Sequence, residues 1–304
     1  MTQSTGRERI GFIGLGAMGR PMASNLQRKG NDLVVYDLNP EAVDALVGLG
    51  ARAAGSVAEL AREVDIVVTM LPDSPDVEAV VLGPDGVAAA GAEDLLVMDM
   101  STVDPVATDR LATALADRGM AFVDAPVGRL VSHAEKGESL FMVGATSNDF
   151  GRVRPLLEAM GTTIQHCGAP GSGIRTKLVN NFIAIATCQL TAEAMTLAES
   201  FGLELSTTLD VVNGTTATNG HLQTAWRGKV LAGDTAPGFR IRLAHKDISL
   251  AVEAARQAGV PVFMGAAARE CLGQAMRTGD FAERDFSALL DVVCQQSGIA
   301  APRL

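Results

Sequence analysis

A lysine and an asparagine lie one helical turn apart at the start of a long apolar stretch. Lys177 and Asn181 have the spacing i, i+4, so a helix would place both side chains on one face. A lysine ammonium can donate a proton to a carbonyl oxygen, and burial lowers its pKa toward the working range. The neighbouring amide can hold the same oxygen. The pair therefore indicates proton transfer at a carbonyl or an alcohol, although a lysine at a helix start is more often a solvated charge.

A glycine-rich turn near the N-terminus is typical of dinucleotide-binding proteins. It follows an apolar strand pattern and opens a helical pattern, and it consists of Gly14, Leu15, Gly16, Ala17, Met18 and Gly19. The first glycine permits a tight turn, the second lets a pyrophosphate approach the backbone, and the third lets the helix pack on the sheet. The free N–H groups of the helix start would then face the phosphates.

Three further positions fit the same cofactor. Asp37 ends the second strand pattern, where its carboxylate can accept both hydroxyls of an adenine ribose and would repel a 2′-phosphate. No arginine follows it directly, so the sequence favours NAD over NADP. Leu71 and Pro72 follow the third strand pattern, and Thr102 follows the fourth. Ligands of open α/β sheets lie beyond the carboxyl ends of the strands, so both loops are predicted to contact the dinucleotide, although each alone is equally typical of an ordinary turn.

The elements that must position these residues predict two domains. Short strand patterns alternate with helical stretches in the first half, which is typical of βαβ units and a mostly parallel sheet. These patterns lie at Ile10–Ile13, Leu33–Tyr36, Asp65–Met70, Leu95–Met98, Ala121–Asp124, Leu140–Val143 and Thr163–Gln165. Asn39 is expected to cap the helix that starts at Pro40. From about Gly171 the chain shows no strand pattern.

The second half predicts helices alone. Ile174 to Phe201 reads as one long helix, and Ser206 is expected to cap the next one. We therefore expect an α/β protein with a Rossmann domain, a doubly wound and mostly parallel sheet, at residues 1–169. The long helix would join it to an all-α domain for substrate and oligomerisation at residues 170–304.

The composition excludes several classes of function. The 304-residue chain has 47% hydrophobic and 20% charged residues, enough apolar content for a packed core. A formal net charge of −10 and 4% aromatic residues argue against nucleic acid as a partner. The cysteines and histidines show no metal-binding spacing, and scattered cysteines favour a reducing compartment. With no signal-peptide pattern and no apolar run of membrane-spanning length, we expect a cytoplasmic protein without a membrane partner.

Several motifs, in this order along the chain, resemble the β-hydroxyacid dehydrogenases, the family of 3-hydroxyisobutyrate dehydrogenase and tartronate semialdehyde reductase. They are the glycine turn with its continuation Pro21–Leu26, the segment Asp124–Val127, the Lys177/Asn181 helix start, and His245–Ile248. The resemblance extends from about Arg9 to Gly298. It implies a Rossmann domain followed by a helical domain, with homodimers or homotetramers formed through the helical part.

The resemblance also implies residue roles. Lys177 matches the catalytic lysine, which donates the proton in carbonyl reduction and accepts it in alcohol oxidation, and Asn181 matches its substrate-orienting partner. Lys246 matches a lysine that closes over the nicotinamide side of the cofactor, while Leu71 and Thr102 match cofactor contacts. We therefore expect an NAD(H)-dependent oxidoreductase that interconverts a small anionic semialdehyde and its hydroxy acid.

One segment departs from the family pattern. Most members continue Asp-Ala-Pro-Val with Ser-Gly-Gly, which holds the substrate carboxylate, whereas Gly128, Arg129 and Leu130 stand at those positions here. A Gly-Arg pair resembles the 3-sulfolactaldehyde reductase branch, in which the arginine helps to bind a sulfonate, and a guanidinium presents a rigid fork of donors to such an oxyanion. Ser132 is a candidate to replace a hydroxyl that this branch has straight after the arginine. Arg129 could instead pair with the cofactor or an acidic neighbour.

The second half resembles the same branch and adds two substrate-binding candidates. These are Asn180 and His221, although His221 is equally typical of packing between domains. The favoured reaction is reduction of 3-sulfolactaldehyde to 2,3-dihydroxypropane-1-sulfonate. A cation that binds a sulfonate also binds a carboxylate, so 3-hydroxyisobutyrate, 4-hydroxybutyrate with succinic semialdehyde, methylmalonic semialdehyde and tartronate semialdehyde remain alternatives. A non-catalytic NAD-binding sensor is the alternative of another class, and the set of Lys177, Asn181 and Lys246 argues against it.

Overall fold

The computed structural model describes residues 8–91 and 93–304. It divides into two compact units, residues 1–177 and residues 178–304, which we call the N-terminal and the C-terminal unit. Each unit has apolar clusters of its own. The division falls inside a helix, whereas the boundary predicted between residues 169 and 170 precedes that helix and stays a prediction.

One sheet forms the centre of the N-terminal unit. Its strands are β1 Ile10–Ile13, β2 Leu33–Tyr36, β3 Arg52–Ala53, β4 Ile66–Thr69, β5 Leu96–Asp99, β6 Ala121–Asp124, β7 Val127–Gly128, β8 Ser139–Gly144 and β9 Gly161–Gly168. The order across the sheet is β3-β2-β1-β4-β5-β6-β8-β7, and β9 pairs with β8. All pairs are parallel except those that β8 makes with β6 and β7. The order reverses between β1 and β4, which is where doubly wound sheets bind their ligands.

Helices cover both faces of this sheet. They are α1 Gly19–Arg28, α2 Pro40–Val47, α3 Val57–Glu63, α4 Ser74–Leu82, α5 Val87–Ala90, α6 Pro105–Ala116, α7 Val131–Glu135 and α8 Ser147–Met160, followed by α9 Ser172–Ser200. One apolar cluster includes Met22 of α1 and Leu157 of α8, and a second includes Leu60 of α3 and Leu111 of α6. Two apolar faces buried under helices confirm the doubly wound, mostly parallel α/β fold.

The C-terminal unit is helical, as expected. After α9 it contains α10 Leu205–Asn213, α11 Ile241–Gln257, α12 Phe263–Ala275 and α13 Leu289–Gln296, with a π-helical turn at His221–Ala225 and 3₁₀ turns at Trp226–Gly228, Val230–Ala232, Phe281–Glu283 and Phe286–Ala288. Residues 178–304, all of which the structure describes, contain no strand and one isolated β-bridge, between Arg240 and Asp285. Its apolar cluster includes Trp226, Ile248 and Leu272.

Of the two N-terminal helix caps predicted from the sequence, one is confirmed and one is wrong. The cap at Asn39 is confirmed, because its side chain accepts the Glu41 N–H at 3.0 Å. The cap predicted at Ser206 is wrong. Helix α10 already begins at Leu205, and the carboxylate of Glu204 accepts the N–H groups of Ser206 and Thr207 at 2.9 and 2.7 Å. A glutamate side chain is long enough to reach these donors, and the hydrogen bonds lower its pKa to about 2.

Candidate active site

The glycine turn between β1 and α1 has the shape that a dinucleotide requires. Gly14 has φ +96°, and a Cβ there would collide with the carbonyl oxygen of Met70. A Cβ on Gly19 would collide with the carbonyl oxygen of Gly14. At Gly16, by contrast, an added Cβ would meet no heavy atom of the described residues within 4 Å outside its chain neighbours. Gly14 and Gly19 therefore permit tight packing, whereas Gly16 leaves open space that fits a pyrophosphate.

The carboxylate of Asp37 lies beside this turn. Its Oδ2 accepts the Leu15 N–H at 2.5 Å, and its Oδ1 accepts the Asn39 N–H at 2.7 Å. The side chain of Leu15 is buried, Ala17 is exposed and Met18 packs against the core from its edge. Backbone donors thus hold a negative charge at the end of β2, where the ribose end of a dinucleotide is predicted.

The loops after β4 and β5 are joined at the same edge of the sheet. The Leu71 N–H donates to Ser101 Oγ at 2.9 Å, and the Ser101 N–H donates to the buried Asp99 carboxylate at 3.1 Å. Pro72 is exposed and Thr102 is half-buried. Strands β1, β4 and β5 are adjacent and parallel, so these loops and the glycine turn follow the carboxyl ends of neighbouring strands. The donor groups and the open space at this edge fit NAD.

The start of α9 is fastened to the end of β6 by a buried carboxylate. Asp124 accepts the N–H groups of Gly171 and Ile174 at 2.6 Å each. The helix start lies so close that a Cβ on Gly173 would be 2.9 Å from Asp124 Oδ2. Burial raises the pKa of Asp124 to about 6, against the opposing effect of the two backbone donors. Asp124 opens the segment Asp124–Val127 noted in the sequence, but no sequence pattern predicts this role for it.

Lys177 lies one turn further along this helix, and it is not a solvated surface lysine. Only 9% of the residue is exposed. Its Nζ donates to the carbonyl oxygen of Val127 in β7 at 2.6 Å. The fastened helix start and the Val127 carbonyl together fix the position of the ammonium. A buried, oriented ammonium is suited to protonate an oxygen held next to it.

The segment that departs from the family pattern begins at the last residue of β7, Gly128. Arg129 is exposed and has φ +72°, a left-handed conformation that is rare outside glycine. Its guanidinium donates to the carbonyl oxygen of Glu138 and to the hydroxyls of Thr162 and Thr163, the latter two at 3.0 Å each. Gly128 is buried, Leu130 is half-buried, and Ser132 is exposed in the first turn of α7. The structure gives Arg129 polar neighbours that the sequence did not indicate.

Within the C-terminal unit, Asn181 belongs to a buried polar group. Asn181 is 6% exposed, and its Nδ2 donates to Asp247 Oδ2 at 2.7 Å. The exposed Asn180 donates to Asn181 Oδ1 at 3.0 Å. Lys246 Nζ lies 3.3 Å from the other oxygen of Asp247. Asp247 therefore orients Asn181 and pairs with Lys246, a role that sequence reasoning missed although it quoted the motif around Asp247.

His221 also lies in the C-terminal unit. Its Nε2 is 2.7 Å from the carbonyl oxygen of Ala184, which can only accept, so this nitrogen carries the proton. The ring packs edge-on against Phe286, with centroids 5.5 Å apart, and lies 6.4 Å from Trp226. Burial lowers the pKa of His221 and favours the neutral ring. These contacts give His221 a packing role inside its own unit, and its substrate role stays a prediction.

The residues that the structure describes contain no group of three or more His, Cys, Asp or Glu side chains that could hold a metal ion. Within the same residues, no helix is both long and apolar enough to cross a membrane.

Two family models match the chain. Residues 9–168 match the NAD-binding domain of 6-phosphogluconate dehydrogenase, and residues 171–293 match the NAD-binding domain of NADP-dependent 3-hydroxyisobutyrate dehydrogenase. The first match ends and the second begins close to the start of α9 at Ser172.

Similar proteins match over nearly their whole length. A 3-sulfolactaldehyde reductase of Escherichia coli (strain K12) is 43% identical over 96% of this chain and 98% of its own. A 3-hydroxyisobutyrate dehydrogenase of Pseudomonas aeruginosa is 36% identical over 92% and 96%. Among solved structures, 3-hydroxyisobutyrate dehydrogenase of Mycobacterium tuberculosis with L-serine has a TM-score of 0.85 at 31% identity, covering 95% of this chain and 99% of that one.

Proposed function

The chain belongs to the 3-hydroxyisobutyrate dehydrogenase family of NAD-dependent β-hydroxyacid dehydrogenases, which act on CH–OH groups, and we propose that it reduces 3-sulfolactaldehyde to 2,3-dihydroxypropane-1-sulfonate. The observation that carries this substrate is Arg129, an exposed guanidinium on the segment after β7 where most of the family has glycine. The 43% identity to a 3-sulfolactaldehyde reductase supports the same substrate.

The glycine turn at Gly14–Gly19 would hold NADH, which would supply the hydride for the aldehyde carbon. Lys177 donates the proton that the aldehyde oxygen takes up as it becomes a hydroxyl, and the lysine then recovers a proton from solvent. The buried position of Lys177 and its bond to the Val127 carbonyl hold the ammonium in one orientation. Proximity and orientation of this kind lower the activation barrier, because the proton donor is already ordered next to its acceptor before the reaction.

Asn181 orients the reacting oxygen. It lies one turn from Lys177 on α9, so both side chains leave the same face of one helix. Asp247 accepts one of its amide hydrogens, and this bond fixes which end of the amide is a donor. Lys246 is paired with the same carboxylate, and we assign it to the nicotinamide side of the cofactor.

Arg129 binds the anionic end of the substrate. A sulfonate is weakly basic and permanently charged, so a permanently charged planar donor suits it. Gly128, Leu130, Ser132, Asn180 and His221 are the other residues that we assign to substrate binding. A second candidate is a carboxylate semialdehyde, because a guanidinium also binds carboxylates in bidentate fashion and the relatives include 3-hydroxyisobutyrate dehydrogenases.

We also propose that the protein is a cytoplasmic homo-oligomer. Its four cysteines are free thiols, which is typical of a reducing compartment. The part of α9 in the C-terminal unit carries exposed apolar side chains, more than half exposed, at Val179, Ile183, Leu190 and Leu197. Their spacing places them along one side of the helix, and a second copy of the chain is the occupant that this stripe fits.

The experiment that tests the substrate follows NADH absorbance with 3-sulfolactaldehyde and with succinic, methylmalonic and tartronate semialdehydes. We expect kcat/KM to be at least tenfold higher for the sulfonate, about 1.4 kcal/mol in the transition state. A carboxylate that wins by the same margin would withdraw the sulfonate but keep the family and the role of Lys177. A matched Arg129→Gly variant shows whether the preference comes from the guanidinium, because glycine adopts the φ of +72° without strain.

A further inference from the structure

Strand β9 contains an irregularity opposite Arg129. Gly161 pairs with Ser139 and Thr163 pairs with the next residue of β8, Leu140, so Thr162 is an extra residue in the ladder. Successive side chains of a regular strand point to opposite faces of a sheet. An extra residue breaks this alternation and re-aims a side chain. Here the hydroxyls of Thr162 and Thr163, neighbours in sequence, both bind the same guanidinium.

This guanidinium lies on the face of the sheet from which α9 starts. Residues Leu140, Met142 and Gly144 of β8 alternate onto one face, and a Cβ on Gly144 would lie 2.9 Å from the backbone nitrogen of Gly173 in α9. Thr163 pairs with Leu140 and therefore presents its side chain on that same face. All of these residues belong to the N-terminal unit, as does Lys177 near the start of the same helix.

The hydrogen bonds of Arg129 to the described residues use only part of its N–H groups. Nη1 donates to the Glu138 carbonyl and to Thr162, and Nη2 donates to Thr163. Three of its five N–H groups are thereby used. Among the residues that the structure describes, the Nε–H and one Nη2–H have no acceptor. Two donors of the planar group are thus left for the oxygens of an oxyanion.

We propose that Thr162 and Thr163 are positioning residues that hold the guanidinium of Arg129 for the anionic end of the substrate. The proposal rests on the proposed function, because it assumes that Arg129 binds that anion. Bonds at both terminal nitrogens prevent the planar group from rotating. The side chain is therefore ordered before the substrate arrives, and binding costs less conformational entropy. The left-handed backbone of Arg129 fits this role, since such strain persists only where the surroundings fix the residue.

The test removes the hydroxyls and keeps the side-chain shape. In Thr162→Val/Thr163→Val we expect KM for 3-sulfolactaldehyde to rise about tenfold, in the range that lost hydrogen bonds to a charged group produce. KM for NADH should stay unchanged and kcat should change less than about threefold. Serine at both positions keeps the hydroxyls and should restore KM. Thr113→Val, which removes an exposed helix hydroxyl of α6, is the matched control and should leave KM unchanged.

A double-mutant cycle that combines Arg129→Gly with the valine pair separates the role proposed for the threonines from the anion-binding role proposed for Arg129. If Arg129→Gly raises KM for the anion and the valine pair does not, the threonines do not position Arg129 and this inference is wrong while the function stands. If the valine pair raises KM further in the Arg129→Gly background, the threonines act on something other than Arg129 and the inference is also wrong. If Arg129→Gly leaves KM unchanged, the anion-binding role of Arg129 falls and the inference falls with it. Should a carboxylate semialdehyde be the preferred substrate, the same comparison is made with it.

Discussion

Two segments of the N-terminal unit, both of which we propose to bind ligands, differ in how they are built. The turn at Gly14–Gly19 acts through missing side chains: two of its glycines permit close backbone packing and Gly16 leaves open space. The segment at Gly128–Leu130 carries one long side chain, whose guanidinium donates to the hydroxyls of Thr162 and Thr163 of β9. The first segment is a short continuous stretch whose Leu15 N–H donates to Asp37, whereas the second is bound to residues more than thirty positions away.

Under the proposed function, this difference separates cofactor binding from substrate binding. A pyrophosphate is bound through backbone groups, which a short glycine turn supplies. We propose that a side chain, that of Arg129, binds the anionic end of the substrate. On this proposal a change of substrate needs a new side chain together with the residues that hold it, and Arg129 with its two threonines forms such a set. The predictions below test the two segments and the groups beside them, in order of decreasing effect.

The largest effect is expected at Lys177. Lys177→Ala should lower kcat by about a thousandfold or more, because the proton donor of the reduction is removed. The affinity for NADH should stay within about twofold, since the glycine turn is untouched. Single-turnover rates and NADH fluorescence titration measure the two quantities. Lys229→Ala, which removes an ion pair with Asp234, is the control. Full activity of Lys177→Ala would overturn the mechanism and revive the NAD-binding sensor.

The next prediction compares two glycines of the turn. Gly14→Ala should destabilise the protein by about 3 kcal/mol, because the Cβ collides with Met70 O and the residue has φ +96°. Gly16→Ala should leave stability unchanged and weaken NADH binding about tenfold, because its Cβ enters the space left for the pyrophosphate. Urea unfolding and NADH titration of both variants give the result. An equal loss of stability in both variants would show that Gly16 is needed for folding and does not leave space for the cofactor.

How far the sequence predicts this molecule depends on the range of the interactions. The strands of four or more residues and the long helix α9 were predicted, because their apolar patterns are local, although β9 extends beyond the predicted Thr163–Gln165 at both ends. The two-residue strands β3 and β7 were missed, since Arg52–Ala53 and Val127–Gly128 are too short to show alternation. The predicted cap at Ser206 was wrong because Glu204 reaches back over the first turn of α10.

In the candidate site, too, only local patterns could be predicted from the sequence. The glycine turn and the i, i+4 pair of Lys177 and Asn181 are local patterns, and the sequence identified them. The residues that hold them in place are distant: Asp124 fastens the start of α9 from β6, and Asp247 orients Asn181 from α11. No spacing rule connects residues that are 50 or 66 positions apart. The contact between Thr162 and Arg129 also depends on the bulge in β9, and a bulge produces no periodic pattern in the sequence.

A pH-dependent effect is expected at Asp124. Burial raises its pKa from the ordinary 3.8 to about 6, so the native state binds a proton between these values that the unfolded state has released. The free energy of unfolding should therefore fall as pH rises from about 4 to about 6, by about 2 kcal/mol. Urea unfolding of Asp124→Asn should lack this part of the pH dependence. Identical pH profiles of the two proteins would show that the carboxylate does not titrate in this range.

The smallest effect concerns the choice between NADH and NADPH, and it tests whether the glycine turn acts without side chains. Asp37→Asn should lower the preference for NADH over NADPH about tenfold, because the charge that repels a 2′-phosphate is lost.

The Asp37 carboxylate also accepts the N–H groups of Leu15 and Asn39, so the substitution loosens the turn as well. A loosened turn weakens the binding of both cofactors alike. An absolute gain in kcat/KM with NADPH would come from the changed charge at the 2′-phosphate and not from a loosened turn. Asp44→Asn, on the exposed side of α2, should change neither cofactor. Parallel losses with NADH and NADPH in Asp37→Asn would instead make Asp37 a support of the turn, and the turn would then need distant help as the Arg129 segment does.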